Sequence, residues 1–71
     1  MENVVWIKLI LGHRSFFTGK IVMVSLPDRY VMLETYKNEA KQKACTKLGL
    51  RESEVAVLDY EFLGSNVTFI E

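Results

Sequence analysis

With one cysteine, one proline, one histidine and no net charge, this 71-residue chain is poor in most of the features that announce a function. A single cysteine, Cys45, rules out an internal disulfide and with it the framework of a small secreted protein. Together with the one histidine, His13, it does not give the ligand spacing of a structural zinc site. Asp59 and Glu61, read on one strand face, would offer at best weak oxygen ligands. The four glycines stand apart at 12, 19, 49 and 64, so no glycine-rich loop is present to cradle a phosphate.

Long hydrophobic runs are also missing. The strongest, 4–11, is interrupted by Lys8, precedes no small-residue cleavage site and falls far short of the roughly 20 residues that cross a bilayer. The chain therefore reads as cytoplasmic, a setting in which the Asn66-Val67-Thr68 sequon carries no information. Nucleophilic catalysis needs a Ser or Cys beside a base that is itself oriented. His13 reads as a turn residue and Cys45 as a small core hydrophobe in mid-helix, so the expectation is a non-enzymatic protein with no cofactor and no metal.

What the chain does have is apolar content, 49% of its residues, in a length that admits one domain with a small core. Residues 3–11 are β-branched, aromatic and apolar at nearly every position, which predicts a strand that is central in a sheet or covered on both sides. A second strand is expected over 16–26, best formed from Lys20, and Pro27-Asp28-Arg29 makes a turn. Residues 30–34 read as a third strand. From Thr35, taken as the N-cap, Ala40, Ala44 and Leu48 recur on one face beside Tyr36, and Gly49 with Leu50 has the form of a Schellman stop. After a polar link, Ala56, Leu58, Tyr60 and Phe62 alternate with Val55, Val57, Asp59 and Glu61, and a turn at 63–66 leads to a last strand at 67–70. The order β-β-β-α-β-β over residues 1–71 predicts one α+β domain: a two-layer form, with one amphipathic helix packed on one face of an antiparallel sheet.

Neutrality conceals an uneven distribution of charge. Residues 35–50 carry four basic and one acidic group, residues 51–71 one basic and five acidic. Residues 36–45 resemble the final helix of double-stranded RNA-binding domains. Lys37 and Lys41 match two of that family's three lysines, Asn38 stands in place of the third, and Gly12-His13 corresponds loosely to its minor-groove loop. The resemblance implies an RNA-binding module using the basic helix 36–48. The chain departs from that family in having no N-terminal helix and in continuing with strands after this one. Helical geometry also sets Lys37 and Lys41 at one border of the apolar stripe and Lys43 and Lys47 at the other.

The stronger expectation comes from the sheet. Phe16 and Phe17 are adjacent, as are Val5, Trp6 and Ile7, and as are Val31, Met32 and Leu33; neighbours in a strand face opposite sides, so one helix cannot cover them all. The sequence thus predicts a protein partner or a homo-oligomer, meeting an uncovered sheet face around Trp6, Phe17 and Met32, with Asp59, Glu61 and Glu71 as an acidic rim. A short frame starting at Met1 fits an accessory or phage-type regulator or inhibitor.

Overall fold

The computed structural model describes residues 3–65 and 70. Its elements are β1 (Val4–Gly12), β2 (Lys20–Pro27), α1 (Leu33–Leu48) and β3 (Ala56–Gly64), with a 3-10 turn at Glu52–Glu54 before β3. The three strands form an antiparallel sheet in the order β2-β1-β3, and α1 lies on one face of it, giving the expected α+β architecture. β2 and β3 run the same way on either side of β1, joined through α1, so the topology is a split β-α-β unit.

The uniformly apolar first strand is central, as its composition predicts. Val5, Ile7, Leu9 and Leu11 are buried beneath α1, while Trp6, Lys8 and Ile10 alternate onto the opposite face. From α1, Tyr36, Ala40, Ala44 and Cys45 close the core, two of them alanines that let the helix approach the sheet. Val24, Leu26 and Val55 complete it. Gly49 ends the helix in the left-handed region at φ 71°, its N–H bonding to Thr46 O, while Leu50 N–H reaches Cys45 O at 3.0 Å, as the Schellman motif requires.

Beyond the later start of the second strand, at Lys20 and not at residue 16, two parts of the strand reading are corrected. Residues 30–34 do not form a third strand. Met32, extended at ψ 151°, is the N-cap in place of Thr35; Leu33 and Glu34 belong to the first helical turn, and the helix has 16 residues. Both edges of β1 are already taken, and the chain after Pro27 is held against the helix. The Tyr36 hydroxyl donates to Arg29 O at 2.5 Å and accepts from Arg29 N–H at 2.8 Å, and the Arg29 guanidinium pairs with Glu39. The element order is accordingly β-β-α-β. The expected strand at 67–70 lies almost wholly outside the described residues.

The second correction concerns β3. Ile10 pairs with Asp59 but Leu11 pairs with Val57, so a bulge places both Leu58 and Asp59 opposite Ile10. The extra residue reverses the alternation. Val55 and Val57 join Tyr60 and Phe62 towards the helix, where Phe62 meets the Tyr36 ring at 5.5 Å. Leu58 moves to the other face with Asp59 and Glu61.

Candidate protein-contact surface

The face of the sheet turned away from α1 is built by alternation from three strands. β1 supplies Trp6, Lys8 and Ile10; opposite them in β2 stand Ser25, Met23 and Ile21, and in β3 Glu61 and Asp59. Ile21 is 64% and Leu58 60% exposed. Leu58 lies over Gly12: a Cβ there would come within 3.1 Å of its side chain, and one on Gly19 within 3.5 Å. Gly19, at φ 93°, also makes the bend into β2. Ile10, Ile21 and Leu58 thus gather at one end of the sheet, with Phe17 fully exposed in the adjoining loop.

Of the residues singled out in the sequence, Trp6 is on this face and half-buried. Phe17 projects from the β1–β2 connection, while its neighbour Phe16 packs against the core. Met32 is exposed at the start of α1, at the other end of the strand pair, and does not join them. Asp59 and Glu61 share the open face with Lys8, and Asp59 Oδ1 accepts the N–H of Tyr60 at 2.9 Å. Glu71 lies outside the described residues. Sequence reasoning missed Ile21, Met23 and Leu58; the alternation of β2 could have found the first two, but the face of Leu58 depends on the bulge.

The four helix lysines divide as helical geometry predicts. Lys37 sits 5.6 Å from the Tyr60 ring centre and 3.5 Å from Glu34. Lys41 is half-buried near Cys45, whose thiol is pushed up by burial, partly offset by Lys41 and reinforced by Glu52. On the β2 side, Lys43 Nζ donates to Ser25 O at 2.6 Å, and Lys47 is exposed. The lysines therefore flank the helix and do not share one surface.

A groove of about 320 Å³ runs along the outside of β2, lined by Val22, Met23, Ala44 and Leu48 with Lys43 and Lys47, and by Trp6 from the open face. At the opposite end of the sheet His13, with a side chain 6% exposed, brings Ser15 and Glu54 together. Its Nδ1 is 2.7 Å from Ser15 Oγ and accepts the Ser15 N–H at 3.1 Å, while its Nε2, without a hydrogen-bond partner among the described residues, lies 3.6 Å from Glu54. This set closes a local turn and ties it to the segment before β3. Among the described residues no three His, Cys, Asp or Glu side chains are placed to hold a metal ion, and no helix is long and apolar enough to cross a membrane.

Comparison of the chain with protein-family models, with curated proteins and with solved structures gives no match.

Proposed function

We propose that this chain is a small non-enzymatic binding module that acts through protein–protein contact, made by the sheet face opposite α1. The observation that carries this reading is the group Ile10, Ile21 and Leu58 on that face, with Phe17 beside it, while α1 is committed to the other side. Exposed apolar side chains gathered in one place, bordered by charges such as Asp59 and Glu61, are the composition of a contact surface. A second copy of the chain and a different protein are both occupants of that kind.

The test is the pair Ile21→Glu and Leu58→Glu, each on the outer face and each sparing the core. Light scattering and retention of proteins from the native host are compared with the parent chain, circular dichroism serving as the control for folding. Loss of self-association, or of a specifically retained protein, in the folded variants is the expected result. A parent chain that stays monomeric and retains the same proteins as the variants overturns the reading.

A further inference from the structure

β2 is an outer strand, and β1 occupies only one of its edges. In an antiparallel ladder the N–H and C=O of a residue point to the same side, and the side alternates along the strand. The Asp28 N–H bonds to Asn3 O at 3.0 Å, which sets the phase: Leu26, Val24 and Val22 face β1, and Ser25, Met23 and Ile21 face outward. Pro27 falls in the outward set, where its missing N–H leaves the ladder intact. Lys43 holds the outward carbonyl of Ser25, whereas the outward groups of Met23 and Ile21 have no hydrogen-bond partner among the described residues.

The groove beside this edge has the form that strand addition uses: open main-chain groups flanked by recesses for alternate side chains. One recess, towards α1, has Val22, Ala44 and Leu48 as its apolar lining, and Lys43 and Lys47 on its rim. Neither lysine has a carboxylate within ion-pair distance among the described residues; the acids near the helix are engaged elsewhere, Glu34 with Lys37 and Glu39 with Arg29. Two such ammonium groups beside an apolar recess suit an occupant with both carboxylates and apolar side chains. A second copy pairing through its own β2 is the wrong occupant. That strand, KIVMVSLP, brings no acid, and the two-fold axis of an antiparallel edge pair would set Lys43 and Lys47 of one copy against those of the other.

We propose that the outer edge of β2 accepts an extended acidic segment of a partner protein as a fourth strand, its backbone on Ile21 and Met23 and its carboxylates on Lys43 and Lys47. The proposal rests on the protein-binding reading above and supplies the partner's chemistry. The bond from Lys43 to Ser25 closes one end of the edge, so the added ladder runs over Ile21 and Met23.

The probes are synthetic peptides of about ten residues, the length of an added strand, alternating valine with glutamate, with lysine or with serine, and the glutamate peptide N-methylated at alternate positions. Amide shifts of the labelled full chain report where each one binds. The glutamate peptide is expected to move the Ile21 and Met23 amides and to weaken with salt. N-methylation should abolish the effect, and Lys43→Glu with Lys47→Glu should weaken binding about tenfold or more and turn preference to the lysine peptide. Equal binding of all three unmodified peptides overturns the proposal, as does the absence of any shift. Shifts confined to the open face, around Leu58 and Ile10, also overturn it while leaving the protein-binding reading in place; that reading falls only with the open-face variants.

Discussion

The hydroxyl of Tyr36 clamps a single backbone residue from both sides, giving its proton to Arg29 O and receiving the Arg29 N–H. The partners are seven positions apart in the chain, and the bonds fold the segment leaving β2 back onto the first turns of α1.

Removing that hydroxyl with Tyr36→Phe leaves the ring in the core but deprives the Arg29 N–H of its partner and leaves Arg29 O with the Val31 N–H alone. A loss of about 1–3 kcal/mol is expected, the range for stranding part-buried polar groups. The midpoint of urea unfolding should fall with an unchanged slope, and the Arg29 amide should exchange faster. An unshifted midpoint together with unchanged exchange would show that the clamp contributes nothing.

Gly12 and Leu58 should be energetically coupled. Gly12→Ala pushes a Cβ to 3.1 Å from a Leu58 methyl, so Leu58 must shift, and a destabilisation of about 1 kcal/mol is expected. With Leu58→Ala in place the three nearest contacts of that Cβ are gone, and relief of the strand-glycine penalty, about 0.5–1 kcal/mol, makes the change neutral or stabilising. A double-mutant cycle in urea measures this reversal; purely additive effects would refute the contact.

Cys45 is expected to react with a disulfide reagent only as the protein opens, because it is 1% exposed and its thiol is held above its ordinary value of 9.0, chiefly by burial. The sign of the pH effect follows from that direction. The unfolded thiol ionises first as pH rises, so the contribution is fully present below 9.0 and is lost above it. The loss of stability between neutral and strongly alkaline pH should accordingly be smaller in Cys45→Ala than in the parent chain, and parallel curves for the two would contradict the assignment.

Leu9, fully buried at the centre of β1, should be close to indispensable. Leu9→Ala removes about 2–5 kcal/mol, a large part of the roughly 4–10 kcal/mol that a chain of this length commands. Unfolding at or near room temperature, followed by circular dichroism, is the expected outcome; a melting point within a few degrees of the parent would mean the core lies elsewhere.

The parts of this fold legible in the sequence are those set by local chemistry. The stop at Gly49 and Leu50 follows from a conformation glycine alone adopts easily, and the central place of β1 from a composition that water would not tolerate on either side. Residues 30–34 misled because Tyr30, Val31 and Met32 favour strands, while the contact that outweighs them, Tyr36 on Arg29, is tertiary. The side taken by Leu58 was hidden for another reason: a bulge has no marker in the residues that form it, and it reverses the positions that follow as far as Phe62, beyond which the register shifts again. Phe17 is exposed, but from the loop ahead of β2, so the strand alternation that set it apart from Phe16 does not account for it. Met32 belonged with the misread strand, and Lys43 on Ser25 depends on which strand lies at the edge, which periodicity does not encode.

The alternation along β1 has a thermodynamic consequence. Ile7 and Leu9 face the core, Trp6, Lys8 and Ile10 the other side, and a single thickness of backbone divides the two. Among the described residues no second layer insulates inside from outside, so whatever settles on the outer face draws on the same strand that holds the core together. Occupancy and folding are then one linked equilibrium: a ligand at one hundred times its dissociation constant would add about 2.7 kcal/mol to the whole domain, and its arrival should be readable as a rise in melting temperature before any partner is known by name.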